Sequence, residues 1–361
     1  MARRRRRNQG RNDELLQGVL LIDKPAGITS HEVCQRVKAR LRLGKVGHGG
    51  TLDPFATGLL PLLLNGATRL MPQMQGATKV YEAVVRFGTS TDTMDPTGEV
   101  TATGDPSGLT EAGVTATLPR FTGKITQTIP AYSAARVDGK RLYEYAREGI
   151  EVELPTKEVE ITEIVLLSFA SGDKYTDVGL RVSCGTGTFI RVLADDLGEA
   201  LGCPAHLFSL RRTQTGRFSM EGGITLDTVV EQAEAWKTER LARQDNEGVV
   251  LRFEPLDNAR RWSDFLGGAL LPVSELLGGV PTLRLTSELV KRVQSGQPIR
   301  NADLVGLDPE GVLSFELGEQ LVLEDAEGLR GVAVVRAKCP SNSLAGRDSG
   351  AIVLDVERVL R

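Results

Sequence analysis

Residues 47–66 read Gly-His-Gly-Gly-Thr-Leu-Asp-Pro-Phe-Ala-Thr-Gly-Leu-Leu-Pro-Leu-Leu-Leu-Asn-Gly. The first twelve hold four glycines, one histidine and a single carboxylate, that of Asp53. Because glycine loses much backbone freedom on folding, a loop of this composition is seldom only a connection. Two interpretations of Asp53 are open: a catalytic carboxylate, or the N-cap of a helix that begins at Pro54. Spacing alone favours the helix start.

Core strands are predicted on both sides of this loop. The apolar run at 59–64 predicts a buried strand, and Pro61 indicates a place near a sheet edge. Residues 18–23 predict another short buried strand, after which Thr29 and Glu32 form the pattern of a capping box at a helix start.

Further along the chain, hydrophobic periodicity predicts more regular elements. Strict alternation over 81–87 predicts a half-buried strand that begins at Tyr81. Residues 159–169 and 178–184 predict an antiparallel pair of strands, and 189–201 predicts an amphipathic helix. The remaining segments are predicted as a long loop (88–108), a helix (109–121), a hairpin followed by a helix (137–149) and a short connector (203–213).

Composition places the chain among globular proteins of one or two domains. Of 361 residues, 40% are hydrophobic and 25% charged, which are ordinary values. Apolar runs are shorter than the roughly 20 residues of a membrane span, and Arg3 to Arg7 leave no apolar signal sequence at the front. The four cysteines lack CxxC spacing, so neither a zinc site nor a disulfide framework is indicated. We expect a cytoplasmic protein.

Charge is distributed unevenly along the chain. Residues 1–50 hold 12 Lys and Arg against 4 Asp and Glu, whereas 301–361 hold 6 against 11. This asymmetry predicts a basic face for a polyanion at the front of the chain. Residues 129–149 mix tyrosines with Arg and Lys, which is typical either of a nucleic-acid groove or of a core edge with solvated cations.

Several separate motifs closely resemble the TruB family, the bacterial tRNA pseudouridine synthases that act on the T-loop uridine. The first is the loop itself, Val46-Gly-His-Gly-Gly-Thr-Leu-Asp-Pro. The others follow in the family's order: Leu21-Ile-Asp-Lys-Pro-Ala-Gly, Tyr81 at a strand start, Tyr132-Ser-Ala-Ala-Arg, Gly139-Lys-Arg-Leu-Tyr, Gly185-Thr-Gly-Thr-Phe-Ile-Arg and Ser209-Leu-Arg-Arg. The resemblance spans 18 to about 215 and reverses the preference for Asp53 as a helix cap.

The resemblance implies isomerisation of uridine 55 in the T-loop of tRNA to pseudouridine, with the base flipped out of its loop. Asp53 is then the catalytic nucleophile, toward either the ribose C1′ or the uracil C6. Tyr81 stacks on the base and is also a candidate for the late proton removal, and Arg191 keeps Asp53 ionised and oriented. The loop glycines would let RNA approach the backbone near Asp53. The other positions matching the substrate site are His48, Phe189 and Leu210, with Lys24 nearby in a structural role.

The implied reaction needs no redox partner and no group donor. We therefore expect neither an organic cofactor nor a metal. The implied partner is the T-arm stem-loop of tRNA. No membrane and no obligate protein partner are expected, and the protein is predicted to be a monomer.

The implied fold class is α+β. It comprises a pseudouridine-synthase fold, with a central mostly antiparallel mixed sheet flanked by helices, and a small β-rich PUA-like C-terminal domain. Short strands separated by turns after about residue 281 agree with the latter. The predicted division is a basic disordered arm (1–16), a catalytic domain (17–226), a charged helical insertion or connector (227–278) and the PUA-like domain (279–361).

The chain departs from the family pattern at four points. Gly49 replaces a common Thr, Thr51 a common Ala, and Phe189 a more usual Tyr, which removes a hydroxyl. The acidic C-terminal region weakens the expectation that it grips RNA phosphates.

Three alternatives remain from sequence. They are a non-catalytic RNA-binding or chaperone protein, a synthase with another RNA target, and a metal hydrolase using His31, His48 and Asp53. The last needs more ligands at recognised spacing.

Overall fold

The path of the chain is seen in a computed structural model that describes residues 17–235, most of 266–300, and the segments 320–325, 328–335 and 352–359. Three sequence predictions fall wholly or partly outside those residues: the basic arm at 1–16, the charged connector at 236–265 and part of the run of short strands after about residue 281.

The strands of the described residues are, in chain order, β1 (Gly18–Lys24), β2 (Val46–His48), β3 (Thr57–Leu64), β4 (Lys79–Phe87), β5 (Thr89–Thr91), β6 (Val100–Thr103), β7 (Gly123–Thr128), β8 (Arg136–Val137), β9 (Lys140–Arg141), β10 (Thr156–Ala170), β11 (Thr176–Cys184), β12 (Ala205–Thr215), β13 (Phe218–Ser219), β14 (Ile224–Thr225), β15 (Leu270–Leu271), β16 (Thr282–Arg284), β17 (Ile299–Arg300), β18 (Gln320–Asp325), β19 (Gly328–Val335) and β20 (Ile352–Val359).

The α-helices of the same residues are α1 (Ser30–Arg40), α2 (Met71–Gln75), α3 (Glu111–Thr117), α4 (Leu142–Arg147), α5 (Ile190–Ala200), α6 (226–235) and α7 (Ser287–Gln294). Short 3₁₀ helices occupy Asn65–Leu70, Leu118–Phe121 and Val273–Leu277. No helix among the described residues is both long and apolar enough to cross a membrane.

One mixed sheet dominates the described structure. Its eleven strands follow the order β14-β1-β3-β12-β4-β11-β10-β7, with β2 beside β3, β13 beside β12 and β15 beside β1. Neighbours are antiparallel except for the parallel pairs β1 with β14 and β3 with β12. This confirms the predicted α+β class with a mostly antiparallel mixed sheet. Strand β15 lies within the charged insertion or connector predicted at 227–278, and it joins this sheet.

A second, five-stranded sheet, in the order β16-β18-β19-β20-β17, contains the described C-terminal strands. It confirms that the C-terminal region is rich in β-structure. Its likeness to a PUA domain stays a prediction.

Helices α1 and α5 pack on the same face of the main sheet. The inward residues of β4 are Tyr81, Ala83, Val85 and Phe87, and they share one hydrophobic cluster with residues of both helices. Full burial of a side chain such as Val85 or Phe87 contributes about 1.5–3 kcal/mol to stability. The face of the sheet that carries Tyr81 is therefore the core face.

The predicted capping box at the start of α1 is confirmed. The Glu32 amide donates to the Thr29 hydroxyl at 3.1 Å, and the Thr29 amide donates to the Glu32 carboxylate at 2.8 Å. These bonds satisfy two amides that lack helical partners. The predicted hairpin at 137–140 is also present, with Asp138 and Gly139 both at positive φ.

The predicted connector at 203–213 is wrong, because this segment is most of β12, a strand in the middle of the sheet. Its inner face includes Leu207 and Leu210. Register shifts at Leu207/Ser209 and Arg212/Gln214 interrupt the pairing with β4. Such bulges break the two-residue period, so the sequence alternation that marks a strand is lost.

Two further predictions need correction. Residues 88–108 are not one long loop, since β5 and β6 form a short antiparallel pair within them. Pro61 does not lie on an edge, because β1 and β2 flank this half of β3. The Pro61 carbonyl accepts from the Gly49 amide at 2.9 Å. The missing N–H of Pro61 lies on that same side of the strand, so its pairing with β1 is not disturbed.

Candidate active site

A cleft of about 450 Å³ opens on the core face of the sheet. Its walls are the glycine-rich loop before β3, the start of β4, the segment 133–135 and the loop between β11 and α5. The six residues predicted for the site all line it: His48, Asp53, Tyr81, Phe189, Arg191 and Leu210.

Asp53 and Arg191 form an ion pair in this cleft. Nε of Arg191 donates to a carboxylate oxygen of Asp53 at 2.9 Å. The arginine side chain is 4% exposed and the aspartate side chain 35%. One partner is thus enclosed by protein, while the carboxylate remains accessible from the cleft.

The rest of the Arg191 guanidinium is fixed by backbone carbonyls. One terminal nitrogen donates to the Thr93 carbonyl at 2.8 Å, and the other donates to the Tyr132 carbonyl at 3.0 Å. A guanidinium has a rigid planar set of donors. Three bonds to three separate segments therefore fix both the position and the orientation of the group that meets Asp53.

A second carboxylate, that of Asp95, lies 3.8 Å from the same Nε of Arg191. It is almost fully buried, and one of its oxygens accepts from the Thr93 hydroxyl and from the amide and hydroxyl of Thr97. These bonds shape the turn that presents the Thr93 carbonyl to Arg191. Sequence reasoning missed Asp95, because nothing in the loop 88–108 marks it as buried.

Asp53 does not begin a helix, so the N-cap interpretation is wrong. Residues 53–56 form a turn in which the Ala56 amide donates to the Asp53 carbonyl at 3.1 Å. Lys24 holds this turn from β1: its ammonium donates to the carbonyls of Pro54 at 3.0 Å, Ala56 at 2.6 Å and Pro25 at 3.0 Å. All three ammonium donors are used within the fold.

Burial lowers the pKa of Lys24 to about 8, although the nearby Asp53 carboxylate partly opposes this. The side chain is fully enclosed. These contacts agree with the structural role expected for Lys24. On the other side of the loop, the Leu52 amide donates to the Ser30 hydroxyl at 2.9 Å, which ties the loop to the start of α1.

Arg212 is a buried residue of the site that sequence reasoning did not assign. Its guanidinium donates to the carbonyl of Leu59 at 2.8 Å and to that of Gly50 at 3.1 Å. It also makes a hydrogen bond with the Tyr81 side chain. The only sequence signal was its place in the Ser209-Leu-Arg-Arg motif, which the connector interpretation put outside the sheet.

The backbone of Arg212 requires Gly58. The two residues are paired in the parallel ladder of β3 and β12. Gly58 has φ +98°, and a Cβ there would lie 2.3 Å from the Arg212 carbonyl oxygen. A side chain at position 58 would therefore push β3 away from β12, and with it the turn that carries Asp53.

The Tyr81 ring is 8% exposed and forms part of the cleft wall. Burial raises the pKa of its phenol, and Arg212 only partly offsets the shift. The hydroxyl therefore stays protonated at neutral pH. The ring offers an apolar face for stacking, with one polar group at its tip.

His48 is neutral at neutral pH, because burial and the nearby Arg212 cation lower its pKa. Its buried Nδ1 has no hydrogen-bond partner in the described structure. This environment fits the expectation that the residue packs and does not transfer protons.

Two glycines of the loop have a reason other than RNA access. A Cβ on Gly47 would lie 2.2 Å from the end of Met71, and one on Gly49 would lie 2.4 Å from the end of Met74. Both positions thus face methionine side chains of the protein. At position 49, the end of the Met74 side chain fills the space that the common Thr would need.

Phe189 caps α5 at the cleft. Its amide donates to the Gln127 side chain at 3.0 Å, and the Gln127 amide group donates to the Phe189 carbonyl at 3.1 Å. Gln127, itself buried, holds the backbone that leads to Arg191. These bonds involve only the backbone of Phe189, so they do not need the hydroxyl of the more usual Tyr.

The predicted basic and aromatic segment borders the cleft. Lys140 stacks over the Tyr145 ring at 4.6 Å, and Arg147 lies over Tyr143 at 5.4 Å. These cations are partly or fully exposed.

The described residues contain no group of three or more His, Cys, Asp and Glu side chains placed to hold a metal. The hydrolase alternative therefore gains no support.

Comparison with known proteins gives a consistent result. The sequence model described as TruB family pseudouridylate synthase (N terminal domain) matches residues 38–190. The one described as tRNA pseudouridylate synthase B C-terminal domain matches 191–277, and it spans the predicted boundary at 226.

Curated relatives share the same name. The tRNA pseudouridine synthase B of Burkholderia lata is 41% identical over 321 residues, which are 88% of this chain and 87% of that protein. The tRNA pseudouridine synthase B of Bordetella avium is 49% identical over 221 residues, 61% of this chain and 89% of that protein.

Solved structures agree in fold. An H/ACA RNP bound to a substrate RNA containing 2′-deoxyuridine contains a similar chain with TM-score 0.65 and 24% identity, covering 96% of this chain and 86% of that one. A Cbf5-Nop10-Gar1 complex contains another, with TM-score 0.64 and 25% identity, covering 98% and 87%.

Proposed function

Because the chain belongs to the TruB family of tRNA pseudouridine synthases, we propose that its substrate is uridine 55 in the T-loop and that Asp53 is the nucleophile. The observation that carries this proposal is the Asp53–Arg191 pair, in which a half-exposed carboxylate faces the cleft from a fully buried cation. A protein that only binds RNA has no need of such a pair.

The isomerisation breaks the N1–C1′ bond of uridine, turns the base and joins C5 to C1′. A proton leaves C5 and N1 gains one, so atoms and electrons balance without a cofactor. In either route, Asp53 acts as an ionised carboxylate that bonds to C1′ or to C6. Arg191 donates to one carboxylate oxygen and so orients the group, which leaves the other oxygen for the nucleotide.

The uridine enters by flipping out of the T-loop, which costs a few kcal/mol of lost stacking. Tyr81 replaces part of that stacking with its ring, and Leu210 and Phe189 provide the apolar walls of the base pocket. His48 supports the rearranged loop by packing. The partly exposed basic and tyrosine residues of 136–147 contact the RNA backbone beside the cleft.

The enzyme acts as a monomer in the cytoplasm, without an obligate protein partner. Its division into an arm (1–16), a catalytic domain (17–226), a connector (227–278) and a PUA-like domain (279–361) is part of this proposal.

The decisive experiment is incubation of the purified protein with total tRNA from cells that lack pseudouridine 55, followed by mapping of pseudouridine at single-nucleotide resolution. We expect one new pseudouridine, at position 55. Modification at other positions alone would overturn the T-loop assignment, and loss of all product without loss of binding in the Asp53→Asn protein would support the nucleophile.

A further inference from the structure

Lys79 is a buried cation that the reaction described above does not use. It begins β4 two residues before Tyr81 and lines the same cleft, although only 6% of the residue is exposed. Its ammonium donates to the Ala77 carbonyl at 2.6 Å and to the Thr186 hydroxyl at 2.5 Å. An ammonium has three N–H donors, so one remains for a group in the cleft.

The surroundings of Lys79 are positive. Burial, Arg212 and Lys157 all lower its pKa. The nearby thiol of Cys184 does not supply a negative charge, because burial raises its pKa to about 11. Among the residues that the structure describes, none of these three cations forms an ion pair with a carboxylate.

A second lysine, Lys157 of β10, contacts the same Thr186 loop as Lys79. The Lys157 ammonium donates to the Thr186 carbonyl at 3.4 Å. Gly187 has φ +87°, and a Cβ there would lie 1.9 Å from the Lys157 nitrogen. The glycine thus admits a cation that any other residue at this position would displace.

Buried or half-buried cations are normally matched by an anion, since an unpaired charge away from water is costly. Here the described residues supply no such anion to Lys79 or Arg212, which both line the cleft, and Lys157 lies exposed on the outer side of the Thr186 loop. The missing anion must therefore come with the substrate. The only anions that RNA brings are its phosphates, and they dominate the affinity of proteins for nucleic acid.

We propose that Lys79, together with the Thr186 loop and Lys157, is a subsite for one phosphodiester of the RNA strand next to the flipped nucleotide. This proposal rests on the proposed function. Residues two apart on one face of a strand are about 6.6 Å apart, so Lys79 lies beside the Tyr81 ring that stacks the base. The subsite would grip the strand at the point where it leaves the helical stack and so hold the nucleotide out.

A purely structural role for Lys79, as an anchor of the Thr186 loop, makes a different prediction. An anchor can be replaced without changing how binding depends on salt. A phosphate contact releases counterions, so its loss lowers the slope of log affinity against log salt by about 0.7 for single-stranded RNA.

The first test measures binding of a T-arm stem-loop RNA across salt concentrations by the wild type and by three variants. We expect Lys79→Met to lower the affinity for the RNA about tenfold. The slope of log affinity against log salt should fall by about 0.7, the value for one phosphate contact. Lys79→Arg keeps the charge and should keep the slope. Lys124→Met is the matched control: Lys124 is well exposed, pairs with Glu158 and does not line the cleft, so both quantities should stay unchanged.

The second test identifies the phosphate. Neutral methylphosphonate linkages are placed one at a time around the target uridine, and binding is measured with the wild type and with Lys79→Met. We expect one linkage to weaken wild-type binding about tenfold and to have no further effect on the variant. Equal losses in both proteins at every linkage, or an unchanged salt slope in Lys79→Met, would overturn the subsite.

Pseudouridine formation by the wild type on the same unmodified stem-loop separates the two proposals. If the wild type forms product and the binding tests show no coupling to Lys79, only the subsite is wrong. If the wild type forms no product on this RNA, the proposed function fails and the subsite fails with it.

Discussion

Nε of Arg191 lies 2.9 Å from the Asp53 carboxylate, although 138 residues separate the two in the chain. Neither the turn that carries Asp53 nor the helix that carries Arg191 could set this distance alone. The turn that carries Asp53 is held by Lys24 from β1, and the start of α5 is held by Gln127 from β7. The pair therefore reports how accurately opposite ends of the sheet are assembled.

Replacing Asp53 by Asn tests the nucleophile. The amide oxygen can still accept from Arg191, so the protein should fold and bind a T-arm RNA with an affinity close to wild type. A neutral amide cannot form the covalent bond, and we expect turnover to fall on the order of 10⁴-fold or more. The measurement is single-turnover pseudouridine formation beside a binding titration, and residual turnover near the wild-type rate would remove Asp53 from the mechanism.

Tyr81→Phe separates stacking from proton chemistry. The ring remains, so RNA binding should be retained, while loss of the hydroxyl should slow turnover roughly 10²-fold. Arg212 loses one hydrogen-bond partner, which costs about 1 kcal/mol of unfolding free energy. Rate and stability are measured on the same preparation. An unchanged rate would restrict Tyr81 to stacking.

Asp95→Asn tests how Arg191 is oriented. An amide cannot supply the second negative charge beside the guanidinium, and its NH₂ group competes with the donors that now converge on the carboxylate. We expect turnover to fall about tenfold, with RNA affinity nearly unchanged. The matched control is Asp105→Asn, since Asp105 is an exposed aspartate that also accepts from a nearby amide and hydroxyl. Equal effects of the two substitutions would contradict a specific role for Asp95.

The lowered pKa of Lys24 predicts a pH dependence of stability. The folded-state pKa is about 8 and the ordinary value is 10.5, so between these pH values the unfolded chain binds more protons than the native one. Linkage makes the contribution of this group rise with pH through that window. It is complete above pH 10.5 and lost as the pH falls through about 8.

Denaturant unfolding of the wild type and of Lys24→Met at pH 7, 9 and 10 checks this. The free energy of unfolding of the wild type relative to the variant should increase from pH 7 to pH 10. A constant difference would show that Lys24 titrates normally in the folded protein.

Gly58→Ala should destabilise the protein by about 2 kcal/mol or more, because strained backbone and a clash with the Arg212 carbonyl act together. Gly123→Ala provides the control: Gly123 has φ +96°, nearly the same as Gly58, but a Cβ there meets nothing within 4 Å. The difference between the two variants in thermal unfolding measures the clash alone. Equal losses would mean that β3 and β12 can separate without cost.

The sequence by itself determined most of the regular elements near the site. Periodicity located β1, β4 and α5, and the Thr29 capping box located the start of α1, because these signals depend on residues close together in the chain. The family resemblance pointed to six residues that do line one cleft. Local patterns failed at β12, where bulges interrupt the alternation of Leu207 and Leu210, and at Pro61, whose missing N–H points away from β1.

Only the tertiary structure decided which polar groups are buried and what they meet. Lys24, Lys79, Asp95 and Arg212 resemble ordinary surface residues in the sequence, since a single charged residue carries no local sign of burial. Each is enclosed because the sheet brings distant segments around it. The cost of removing its charge from water is then offset by carbonyls, hydroxyls and opposite charges from those segments, or, at Lys79, left for an anion from outside.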